Sequence, residues 1–112
     1  MTDMYPQSTS ETQALRRTLA PEPLNAFHEF SRRVFADGAL SQQVKQLIAV
    51  AVAHTTQCPY CIRGHTEGAL KAGASPEQIM EAIWVAAEMR AGAAYAHSTI
   101  ALDVLKTAAE RT

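Results

Sequence analysis

Two cysteines and one histidine carry the chemistry legible in this 112-residue chain: Cys58-Pro59-Tyr60-Cys61, with His65 four residues on. Cysteines three apart at the start of a helix lie close enough to form a disulfide. The unpaired N–H groups and the dipole of that helix end favour a thiolate. His65 falls one turn beyond Cys61 on the same face and about two turns beyond Cys58. There it can take or return a proton near neutral pH. Dipole reasoning alone favours Cys58, at the cap, as the lower-pKa thiol, whereas proximity to His65 favours Cys61 as the reacting one. A nucleophile, a second thiol and a base on one helix end suffice for reversible thiol–disulfide exchange, or for reducing a peroxide through a sulfenic acid. A structural zinc site is the competing reading, because His54 lies four residues before Cys58. Pro59 interrupts the helix between them and the ligands are strung along one line, whereas zinc needs four converging ligands. We therefore expect no metal. His54 is read either as a cap to its helix end or as a partner of the thiols, and His28 and His97 as ordinary helix residues.

The elements that must position these groups read as helices throughout. A polar arm, residues 1–20, carries a short helix near 9–18, with Ser8 and Glu11 as a capping box. A helical domain follows over 21–112. Its first helix starts near Pro21, shows Leu24, Phe27, Phe30, Ser31, Val34 and Phe35 at i, i+3, i+4 spacing, and is expected to end on a left-handed Gly38. Ser41 caps the next, about 42–55, which is apolar nearly all round in its second half. Cys58 is an N-cap, because Pro59 pushes it out of helical geometry and is itself comfortable at the first helical position. That helix runs to Gly73. Ser75, Pro76 and Gln78 open another, and Gly92 is expected to kink it or divide it from a last one. The sum is an all-α bundle of about six helices with short loops.

Composition bounds the rest. Apolar residues are 47% and charged residues 19%, below the average of about 25%, which excludes a disordered chain. Ala occurs 21 times, and it is both the best helix former and small enough for close helix approach. A net charge of −1 speaks against a nucleic-acid surface. The longest apolar run, Leu47 to Ala53, is far below the roughly 18–20 residues of a membrane span. The first residues have neither a basic head nor an apolar core, so no signal peptide is read and a cytoplasmic setting is expected. Two cysteines in that setting are unlikely as a structural staple. One subunit of this size cannot cover its own apolar helices, so a homo-oligomer is expected.

The stretch LSQQVKQLIAVAVAHTTQCPYCIRGHTEGALKAGASPEQIMEAIWVAAEMRAGAAYAHS resembles the carboxymuconolactone decarboxylase family, and within it the alkyl hydroperoxidase D (AhpD)-like branch. The likeness spans roughly residues 25–105, and its most specific part is CPYCIRGH followed by ALKAGASPEQIMEAI. It implies an all-helical subunit in a hexamer or, as second choice, a trimer. It also implies an antioxidant peroxidase that reduces alkyl hydroperoxides without a bound cofactor. Carried over, Cys61 is oxidised by peroxide to a sulfenic acid. Cys58 is proton donor and resolving thiol, and His65 belongs to a proton relay. A lipoyl-bearing or thioredoxin-like protein reduces the resulting disulfide. The relay glutamate of the branch normally lies twelve residues before the first cysteine, and here that position is Gln46. An amide orients a histidine but cannot carry a proton as a carboxylate does, so slow turnover is expected, unless Glu67, Glu81, Glu88 or a neighbouring subunit's glutamate substitutes. Two alternatives stand beside this reading. One is a lactone decarboxylase, although the namesake enzymes lack the CxxC. The other is a non-catalytic redox-sensing oligomer.

Overall fold

The computed structural model describes residues 4–111 as five helices, with no strand among them. Helix α1, Ser10–Leu19, is capped by Thr9, whose hydroxyl accepts the Thr12 N–H at 3.1 Å. The expected cap, Ser8, instead receives the Gln13 side chain at 3.4 Å. Either hydroxyl residue can cap, and the one placed three residues before an orphan N–H takes it. Helix α2, Pro21–Phe35, begins where Pro21 forces a break at Ala20. It does not end on a left-handed glycine. Ala36 is extended, and Gly38 has no positive φ. The Lys45 ammonium reaches back and donates to the Val34 and Ala36 carbonyls at 2.8 and 2.6 Å. Those carbonyls need no αL reversal once a cation satisfies them. Asp37 meanwhile accepts the Gln42 N–H at 2.7 Å and helps Ser41 to cap α3, Gln42–Thr56.

Helix α4, Pro59–Lys71, has Cys58 as its N-cap, as expected. Helix α5, Pro76–Glu110, opens on the full Ser75/Gln78 capping box and runs through Gly92 without a break. The expected division fails because one glycine costs a helix only about 1 kcal/mol, while Ala91, Ala93, Ala94 and Ala96 flank it with the best helix former. Five helices result where about six were expected.

Helix α3 is the hub, packed on both α4 and α5. Val50, Ala69, Ala74 and Ile79 form the buried cluster, with Leu47 and Ile83 against it. Two polar ties fasten these packings. Gln43 donates to the Ala72 carbonyl at 3.1 Å, and Arg90 donates to the Thr55 carbonyl at 2.9 Å. Helices α1 and α2 pack mainly on each other, and the second half of α5 extends beyond the core. Among the described residues, no helix is long and apolar enough to cross a membrane.

Candidate active site

The site forms where the start of α4 meets the middle of α3 and the end of α2. Gln57 takes φ 58°, ψ 45°, a left-handed turn that stops α3 and hands the chain to Cys58 in extended geometry. Both cysteines are free thiols and half-buried. Cys58 Sγ accepts the backbone N–H of Cys61 at 3.3 Å, so the sulfur itself is the helix cap. The hydrogen bond from the Cys61 thiol lowers the Cys58 pKa most, and the backbone N–H groups of Cys61 and Tyr60 add to it. Donating that same bond raises the Cys61 pKa, together with burial and the neighbouring Cys58 charge. The pair thus loses its first proton from Cys58 and shares the second between the sulfurs. The direction for Cys58 is the one expected from the helix end, but its leading cause is the Cys61 thiol, with the helix-end N–H groups second.

His65 is fixed on two sides. Its Nδ1 lies 2.9 Å from Gln46 Oε1. A carboxamide oxygen only accepts, so Nδ1 carries the proton and Nε2 is left as the basic nitrogen. The ring stacks on Phe35, centroids 5.1 Å apart and planes 23° from parallel. Phe35 is held in turn by the Lys45 cap on the end of α2. An open, largely apolar cavity of about 400 Å³ contains Cys61 and His65 beside Phe35, Ile48, Val52 and Lys45. A second of about 630 Å³ meets it at Cys61 and His65 and extends to Phe27, Phe30 and Tyr60. Cys58 lines neither cavity.

The residues expected from sequence therefore separate. Cys58, Cys61, His65 and Gln46 come together. His54 does not join them: its Nδ1 donates to the Val50 carbonyl at 2.8 Å, within its own helix. Of the candidate relay carboxylates, Glu67, Glu81 and Glu88 are exposed and line neither cavity. No three His, Cys, Asp or Glu side chains converge as metal ligands among the described residues. Sequence reasoning missed Phe35 and Lys45, which the structure sets beside His65. Phe35 was legible only as part of an apolar stripe, and Lys45 only as a charge beside Gln46.

Comparison with known proteins places this arrangement. Residues 21–104 match the model of the carboxymuconolactone decarboxylase family. A Paracoccus denitrificans protein named "Uncharacterized protein 4 in cox locus" is 70% identical over 81 residues, covering 72% of this chain and 73% of that protein. An uncharacterized Haemophilus influenzae protein is 40% identical over 83 residues, covering 74% of each. Among solved structures, a carboxymuconolactone decarboxylase family protein from Legionella pneumophila superposes with a TM-score of 0.68 at 34% identity, covering 71% of each chain. A protein from Methanobacterium thermoautotrophicum gives 0.65 at 38%, covering 70% of this chain and 91% of the other. Sequence, fold and the extent of the match agree, and the chain belongs to the carboxymuconolactone decarboxylase family.

Proposed function

We propose that the protein is a thiol-dependent hydroperoxide reductase of the AhpD-like kind. The observation that carries this reading is a free thiol pair at one helix start, with Cys61 opening on an apolar cavity beside a histidine whose Nδ1 is bonded to Gln46. His65 Nε2 takes the first proton from the pair, leaving Cys58 as thiolate and Cys61 as its hydrogen-bond donor. Shift of that proton from Cys61 to Cys58 makes Cys61 the nucleophile. Its sulfur attacks the terminal peroxide oxygen and the O–O bond breaks. Cys61 becomes a sulfenic acid, and Cys58 gives its proton to the departing alkoxide, releasing an alcohol. The restored Cys58 thiolate then attacks the sulfenic sulfur. The disulfide forms, and the expelled hydroxide takes the proton from His65 and leaves as water. An external dithiol, lipoyl-bearing or thioredoxin-like, reduces the disulfide. Gln46 orients the base without adding a charge, which suits a slow enzyme.

The test is a thiol count before and after one equivalent of an alkyl hydroperoxide, followed by steady-state turnover with dihydrolipoamide. We expect two thiols lost per subunit, no turnover in Cys61→Ser, and a trappable sulfenic acid on Cys61 in Cys58→Ser. A sulfenic acid trapped on Cys58 in Cys61→Ser, with turnover retained, reverses the two roles. No thiol loss with peroxide refutes the reductase.

A further inference from the structure

We infer that Gly68 is a positioning residue: lacking a Cβ, it leaves the space in which the Gln46 carboxamide lies against α4 and fixes which nitrogen of His65 carries the proton. The inference rests on the thiol–imidazole reading above and extends it to a residue outside the CxxC–His set. Gly68 lies three residues beyond His65 on α4. A methyl group there would stand 2.7 Å from Gln46 Oε1, 2.9 Å from its Cδ and 3.1 Å from its Nε2. Gly64, one turn earlier, would meet nothing within 4 Å, so this crowding belongs to Gly68 and is not general along the helix. Helix propensity does not account for the glycine, which is less favourable than alanine inside a helix.

The atom such a methyl would displace is the one that receives the His65 Nδ1–H at 2.9 Å. It is the far end of a flexible side chain, whereas Ala69 next door is fully buried with Val50 where α3 and α4 meet. Gln46 therefore swings aside before the helices part. With that oxygen gone, only the stack on Phe35 holds the imidazole. Stacking selects neither tautomer and nothing then holds the proton on Nδ1, so Nε2 is unprotonated only part of the time.

The test is heteronuclear NMR of reduced, ¹⁵N-histidine-labelled protein, read together with the rate of peroxide-driven disulfide formation. In the wild-type protein His65 should show a protonated Nδ1 and an unprotonated Nε2. Gly68→Ala should mix the tautomers and slow disulfide formation about tenfold or more, since misplacing a reacting group by about 1 Å can cost about a hundredfold. Gln46→Ala should do the same. Adding Gly68→Ala to Gln46→Ala should then change neither readout and should raise the melting temperature, because the methyl has room and alanine is the better helix former. If Gly68→Ala alone fails to fold while the double variant folds, the clash with Gln46 is supported. A double variant that misfolds, or that reacts more slowly than Gln46→Ala alone, overturns the inference. So does a Gly68→Ala protein that keeps a pure Nδ1–H tautomer. If the tautomers respond as stated but wild-type thiols ignore peroxide, Gly68 keeps its positioning role and the reductase reading fails.

Discussion

At the residue scale, the proposed chemistry turns on one hydrogen bond between two sulfurs and on the Gln46 amide beside His65. The lowered Cys58 pKa and raised Cys61 pKa share one hydrogen bond as their leading cause. Iodoacetamide at neutral pH should therefore label Cys58 first, read by peptide mass mapping. Its labelling should come on at lower pH than for an ordinary thiol, and that of Cys61 at higher pH. Cys61→Ala removes the donor and should move the Cys58 profile upward. An unchanged profile would mean that the backbone N–H groups alone hold the thiolate. Gln46 is the second lever. Gln46→Glu keeps an acceptor for His65 Nδ1 and adds a titrating group. We expect single-turnover oxidation of Cys61 to rise about ten- to a hundredfold, part of the usual 10²–10⁴ of general acid–base help. The pH–rate profile should change shape as well. A half-buried carboxylate costs stability, so the variant should melt earlier. Equal rates across pH 5–9 would show that another group already serves the relay.

At the element scale, three devices in two turns aim the site, and helix propensity provides none of them. Lys45 closes the end of α2 and so places Phe35 on His65. The Cys58 sulfur opens α4. Between them Gln57 is the sole non-glycine residue with positive φ among the described residues. A side chain in that region costs roughly 1–2 kcal/mol, which glycine avoids. Gln57→Gly should therefore stabilise the fold by about 0.5–1 kcal/mol after the glycine's larger unfolded-state entropy is counted. The check is denaturant unfolding at matched protein concentration. A loss of stability would show that the Gln57 side chain makes a contact worth more than the strain. Gly73, with φ +93°, already uses glycine for the same task at the end of α4.

At the scale of the whole molecule, the single chain is poorly covered. Its radius of gyration is 20.1 Å, against about 13 Å for a compact domain of this length. It exposes 9017 Å², against roughly 6,000 Å² expected for its mass. Just six of the described residues are buried hydrophobics, and Trp84, Tyr95, Ile100 and Leu105 are each more than 60% exposed. The excess, about 3,000 Å² on one chain, exceeds the roughly 1,000–2,500 Å² that one obligate interface buries on each partner, so more than one interface is expected. We propose a homo-oligomer, a hexamer first and a trimer second. Light scattering at micromolar concentration should give one of these masses, with a melting temperature that rises with protein concentration. Ile100→Asp breaks no intrachain core and should lower the mass. A stable wild-type monomer would contradict the proposal.

Sequence alone determined most of the elements and the placing of two cysteines at one helix start, because both depend on near neighbours. Proline at 21, 59 and 76 marks three helix starts through its own ring, and Ser41 and Ser75 cap through an N–H three residues away. The CxxC spacing is equally local, as are the Cys61 thiol and backbone N–H groups that lower the Cys58 pKa. Gly38 was misjudged because what decides it is not local, and Gly92 because its alanine neighbours outweigh one glycine. Lys45, nine to eleven residues away, closes α2 in place of a left-handed glycine. The alanine-rich run carries α5 past Gly92. The place of His54, which the sequence left open, was decided only by the tertiary structure. His54 and His65 read alike at four residues from a cysteine, yet one bonds to its own backbone and the other to Gln46, 19 residues away. That separation, and the space at Gly68 that accommodates the Gln46 amide, come from how closely α3 and α4 pack, a distance set by the buried Val50 and Ala69 and by no spacing along the chain.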